Sequence, residues 1–156
     1  MASKSRDVDL QAFFSDLVRC ETRLYNALND RLRTRHGIAT SQFEFLRYLR
    51  DHPAARVADL AAEFAIGIGA TSKGVDRLEK QGWVARQPNP SDRRSSLLAL
   101  TDAGRQLADE AEDTVTERLT ELITDQLTPA LISAAGQVLA ELRSVLERDQ
   151  IGMPTG

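Results

Sequence analysis

Apolar residues recur at three- and four-residue steps from Asp9 to Arg35, where Leu10, Phe13, Phe14, Leu17, Val18, Leu24, Tyr25, Leu28 and Leu32 form one stripe. That spacing predicts a long amphipathic helix, closed by His36-Gly37. Ser41 with Glu44 three residues on has the form of a capping box, and Phe43, Phe45, Leu46 and Leu49 follow until Pro53, giving a short second helix. Arg56 to Phe64 reads as a third, with Val57, Leu60, Ala61 and Phe64 inward. Ala65-Ile-Gly-Ile-Gly69 is a glycine-marked turn, and Ala70 to Gln81 reads as a fourth helix facing inward with Val75 and Leu78. After Gly82 the period changes. Trp83–Gln87 and Ser96–Leu100 are strand-like, and the turn formers of residues 88–95 join them into a β-hairpin. Thr101 can cap a long helix carrying Ala103, Leu107, Ala111, Val115, Leu119 and Ile123. Thr128-Pro129 starts a last one, running to about Asp149, with Leu131, Val138 and Val145 in heptads beside Ile132, Leu139 and Leu146. Residues 151–156 read as a frayed tail.

The expected fold is therefore mainly α with a small β-hairpin. Two short helices about a tight turn, followed by the hairpin, make a winged helix-turn-helix over residues 40–101. Residues 9–36 and 102–150 make a helical region whose apolar stripes exceed what the small module can cover, so they predict interlocking with a second copy in an isologous homodimer. Residues 1–8 read as a flexible tail. The whole is one intertwined domain, consistent with 156 residues.

Composition excludes several classes. The chain is 42% apolar and 28% charged, which is neither disordered nor low-complexity. The polar Met1–Asp7 has no apolar core of a signal peptide, and no apolar run reaches membrane-spanning length. A cytoplasmic protein without membrane association is expected. One cysteine, Cys20, and two histidines, His36 and His52, leave little material for a disulfide or a metal site, and no cofactor is expected. Nucleophile–base and phosphate-loop patterns are missing, so the enzyme reading is weak.

Charge is segregated along the chain. Residues 1–101 hold 16 Lys and Arg against 12 Asp and Glu, whereas residues 102–156 hold 4 against 11. Between residues 73 and 94 six cations, Lys73, Arg77, Lys80, Arg86, Arg93 and Arg94, face three anions, Asp76, Glu79 and Asp92. This local excess lies on the fourth helix and the hairpin, where a helix can enter the major groove of a duplex and a wing arginine can suit the minor groove. A structural helix pair, or a module that holds a protein partner without specific DNA binding, is the alternative.

Leu60-Ala-Ala-Glu-Phe64, Val75-Asp-Arg-Leu-Glu79, Gly82-Trp-Val84, Arg86, Pro90-Ser-Asp-Arg-Arg94 and Leu100-Thr-Asp-Ala-Gly104, in this order and spacing, resemble the MarR family of bacterial transcription regulators over roughly residues 40–107. The resemblance implies a homodimer that binds a pseudo-palindromic double-stranded operator, usually represses, and lets go when a small effector or oxidant is sensed. Position by position it places Ala70, Thr71, Ser72, Lys73 and Arg77 where the recognition helix faces DNA, with Arg93 and Arg94 on the wing and Asp92 orienting one of them. Tyr25, His36, Phe43 and Arg47 are the candidate effector pocket, with core packing as the competing role for Tyr25 and Phe43. Cys20 reads as an inert thiol rather than a sensor, having no activating neighbourhood or resolving partner in its chain. Gly67, Gly69 and Gly74 depart from the family pattern and predict a recognition helix that begins late or bends.

Overall fold

The computed structural model describes residues 8–155; of the expected N-terminal tail only Val8 falls within them, and it is exposed. Helix α1 spans Leu10–His36, with Asp9 accepting a hydrogen bond from the Ala12 N–H at 2.9 Å and Gly37 closing it at φ 68°. This left-handed angle is the one a helix-terminal glycine takes without strain. Helix α2 is Thr40–Asp51, α3 is Val57–Glu63 and α4 is Ile68–Lys80. Strands β1 (Val84–Pro88) and β2 (Ser96–Leu100) pair antiparallel, with Val84 opposite Leu100 and Pro88 opposite Ser96. Helix α5 covers Asp102–Leu119 and runs into a π-helical segment, Thr120–Thr124, before α6, Pro129–Arg148. Among the described residues no helix is long and apolar enough to cross a membrane.

The expected mainly helical winged architecture is the one observed, with informative differences at element ends. Helix α2 begins at Thr40, so its third residue is Gln42, whose Oε1 accepts from the Ala39 N–H at 2.9 Å. Ser41 and Glu44 are not its capping pair. Helix α4 starts at Ile68, two residues before the sequence-based boundary, and neither begins late nor breaks at its glycines. Gly74 lies on the α2 side: a Cβ there would stand 3.0 Å from Phe45 Cε2, so the missing side chain lets two helices approach. On α5 the inward row is Gly104, Ala108, Ala111 and Val115, whereas Ala103 is exposed. A strict four-residue step outruns the 3.6-residue turn and drifts off the buried face.

Two apolar clusters hold the fold. Phe45, Leu46, Leu49, Leu60, Val75, Leu78, Val84 and Leu98 form the core of the winged module, while Leu32, Ile38, Phe43, Ala111 and Val115 join α1 to α2 and α5; Trp83 and Leu107 pack against both. At the surface Arg50 of α2 reaches Asp109 at 2.8 Å and Glu112 at 2.7 Å on α5. Those carboxylates hold the Arg50 guanidinium charged far beyond the ordinary range, with the Glu112 hydrogen bond the largest cause. Helix α6, in contrast, buries no residue within the chain. Past the helix Gln150 and Gly152 take positive φ, the Ile151 N–H donates to Leu146 O, and the exposed Met153 to Thr155 line a cleft against α3 and the start of α4.

Candidate nucleic-acid interface

Helix α4 is fixed by what it buries. Val75 and Leu78 are fully buried, and so is Thr71, whose hydroxyl donates to Gly67 O at 2.9 Å. Thr71 therefore belongs to the core and not to the outward face that the sequence assigns it; a threonine whose hydroxyl bonds back to the carbonyl four residues earlier is not left unsatisfied by burial. The outward face carries Ala70, Lys73, Arg77 and Lys80, all exposed, with Ser72 half-buried beside them. Lys73, Arg77 and Lys80 are three or four residues apart and so lie along one stripe.

The wing is ordered by its own polar side chains. Asn89 Oδ1 accepts from the Ser91 N–H at 3.0 Å, and Asn89 Nδ2 donates to Ser95 Oγ at 3.0 Å. Asp92 Oδ1 accepts from the Arg94 N–H at 2.9 Å. Asp92 thus shapes the turn through the backbone of Arg94, whereas the sequence reading gave it a guanidinium to orient. Arg93 and Arg94 stand exposed at the tip. Small side chains that fold back on the main chain hold a turn in this way without an apolar core.

Arg86, on β1, reaches back to the recognition helix, 2.5 Å from Asp76 Oδ1 and 3.7 Å from Glu79 Oε2. These are the two acidic groups of α4, so the wing strand neutralises the anions nearest the cationic stripe. By position along the helix alone, the cation between them is Arg77. The hairpin register, unknowable before the fold, hands them to Arg86 instead. Between α3, α4 and the wing lies an open cleft of about 390 Å³ lined by Arg56, Ser72, Arg86 and Arg94 among others. A second, of about 420 Å³, separates α4 from α1 and α2 and is lined by Arg33, Gln42, Phe45 and Arg77.

None of the four candidate pocket residues lines either of these clefts. Phe43 is buried in the core under α5, and His36 Nε2 bonds to Thr114 Oγ1 at 2.8 Å. Tyr25 and Arg47, both exposed, flank Glu44 instead. Burial raises the Glu44 carboxyl above the usual range against the pull of Arg47, and Tyr25 is raised by partial burial and then by the Glu44 charge. Glu44 was missed as a special group because its helical position, not its neighbourhood in sequence, makes it half-buried. Cys20 is exposed on α1, and among the described residues no three His, Cys, Asp or Glu side chains converge as metal ligands would.

Comparison with known proteins places this geometry. A profile of the MarR family matches residues 38–96. The multiple antibiotic resistance protein MarR of Escherichia coli is 30% identical over 109 residues, covering 67% of this chain and 76% of that protein. The crystal structure of Sco3205, a MarR family transcriptional regulator from Streptomyces coelicolor in complex with DNA, superposes with a TM-score of 0.82 at 26% identity, over 92% of this chain and 91% of that one. A mutant of Escherichia coli MarR complexed with operator DNA gives 0.74 at 26% identity, over 82% and 91%. Motifs, wing, helix order and relatives agree: the chain belongs to the MarR family of transcription regulators.

Proposed function

We propose that the protein is a homodimeric, sequence-specific DNA-binding regulator that acts as a repressor and is released by a small-molecule effector. It works without catalysis, in the cytoplasm where operator DNA lies. The observation that carries this reading is the exposed stripe of Lys73, Arg77 and Lys80 on a helix whose other side is core, set beside a self-ordered wing tipped by Arg93 and Arg94. Ala70, Ser72 and Lys73 meet bases and phosphates in the major groove, Arg77 anchors the backbone, and the wing arginines enter the minor groove. Residues 40–101 serve as the DNA-binding part, and residues 9–36 and 102–150 as the dimerising part. Two such helices on a twofold axis read half-sites about 34–36 Å apart. Dimerisation is supported by the exposed apolar faces of α1 and α6, where Phe14 and Leu131 are 64% and 58% exposed. An effector acts from the junction where Arg33 of α1 and Arg77 of α4 line one cleft, since filling it changes how the arms hold the recognition helix.

Footprinting the dimer on the promoter region beside its own gene, over a series of salt concentrations, tests the reading. A protected inverted repeat whose affinity falls steeply with salt is expected. A folded dimer that protects no duplex, while co-purifying with a protein partner, would overturn it in favour of a protein-interaction module.

A further inference from the structure

Among the described residues the large exposed apolar side chains lie within residues 8–25 and 127–153, with one exception. Ile68, the first residue of α4, is 64% exposed and is the one such side chain in the winged module. It borders the cleft that Ser72, Arg86 and Arg94 share, on the side of the recognition helix that faces the wing. Met153 to Thr155 border a second cleft with it and still leave it bare. Its neighbour Gly69 continues the stripe of Lys73, Arg77 and Lys80 by one turn towards the helix start. A Cβ at Gly69 would meet nothing within 4 Å, and no positive φ calls for glycine there. This separates it from Gly74 and Gly104, which neighbouring atoms require to be small. Inside a helix glycine is the poorest former after proline, so neither packing nor propensity accounts for Gly69. The remaining use of such a position is close approach of the main chain to a molecule outside the fold.

Resting on the regulator reading above, we infer that Ile68 is a specificity-determining residue that packs on the 5-methyl group of one thymine in each half-site, and that Gly69 gives it the reach. The N-terminal residues of a recognition helix are the ones that meet base edges. With no side chain at the head of the cationic stripe, the first turn can come down onto the floor of the groove and carry Ile68 in beside it. The isoleucine side chain has neither donor nor acceptor. Set against the nitrogen and oxygen atoms of a base edge, it would strand them without partners. The apolar group that the major groove displays is the thymine 5-methyl. Lys73, Arg77 and Lys80 cannot make this distinction where they hold phosphate, because phosphate is the same at every step. Ile68 therefore adds a preference at one base pair to an affinity carried by charge. That preference is insensitive to salt, since burying a methyl group is not a Coulombic effect.

Removing single methyl groups tests this. Each thymine of the footprinted half-site is replaced in turn by deoxyuridine, which keeps every hydrogen-bonding group and lacks the methyl alone. At one position the wild type should lose about fourfold in affinity for each half-site substituted, by the same factor at low and at moderate salt. Ile68→Ala, a change at an exposed side chain, should keep its Tm, bind the thymine operator several-fold more weakly than the wild type, and be indifferent to deoxyuridine at that position. Gly69→Ala should hold or raise Tm while lowering operator affinity several-fold. A wild type that protects no duplex would remove the regulator reading and this inference with it. A wild type that binds its operator but ignores every thymine methyl, an Ile68→Ala variant as sensitive to their loss as the wild type, or a Gly69→Ala variant with undiminished affinity would each overturn the inference and leave the regulator standing.

Discussion

Single atoms decide several features of the molecule. A Cβ on Gly104 would stand 2.0 Å from Trp83 O, so the first turn of α5 can seat against the strand only while that position has no side chain. Gly104→Ala is expected to cost about 3 kcal/mol, the upper part of the overpacking range because backbone and not a mobile side chain is in the way. Thermal unfolding would read this as a fall in Tm, and an unchanged Tm would refute the close approach. At Glu44 the sign runs the other way. Its carboxyl is raised, chiefly by burial, so its contribution is intact below the ordinary carboxylate range and is lost as pH rises through the raised value. Glu44→Gln should therefore gain in Tm over the wild type at pH 7 and show no gain at pH 4. Arg86 is predicted to act through the charges it covers. Arg86→Gln should weaken operator binding several-fold, since Asp76 and Glu79 would then face phosphate unneutralised, and adding Asp76→Asn with Glu79→Gln should restore affinity. If the triple variant binds no better than Arg86→Gln, the arginine works by touching DNA itself.

At the scale of elements, periodicity made most of the fold legible, because an amphipathic helix must repeat near 3.6 residues and a half-buried strand near 2. All six helices and both strands were readable this way, with ends displaced by one or two residues where capping was misassigned, as at Ser41 and Ala70. The outward set on α4 was readable except for Thr71. Pattern alone ranks a threonine as polar and therefore outward, whereas here its hydroxyl satisfies itself on Gly67 O and its methyl joins the core. What stayed hidden depends on register between elements distant in sequence: the hold of Arg86 on Asp76 and Glu79, and the reach of Arg50 to Asp109 and Glu112. These differences predict different phenotypes along one helix. Thr71→Val, which keeps shape and drops a self-satisfied hydroxyl, should leave operator affinity near that of the wild type, while Lys73→Ala should lower it with the dimer intact. Equal losses in a binding titration would return Thr71 to the DNA face.

Across the whole molecule, charge and symmetry act together. The cationic stripe and wing lie at one end, while the acidic surplus of residues 102–156 rides on α5 and α6, which run from that end to the apex and back. A duplex is thus drawn to the winged modules and repelled from the arms. If two modules grip one operator about a twofold axis, every substitution is present twice in the complex. Each phosphate neutralised contributes about 0.9 to the slope of log affinity against log salt, so removing one contacting cation from the chain should lower that slope by about 1.8 in the dimer and by only about 0.9 if a single module engages. Arg94→Ala is the cleaner probe, because its side chain is exposed at the wing tip and only its backbone N–H is held, by Asp92. Filter binding from low to moderate salt would measure the difference. A slope reduced by the single-module amount on an intact palindrome would mean that one lobe alone holds the duplex, whereas the doubled amount requires both wings to engage it at once.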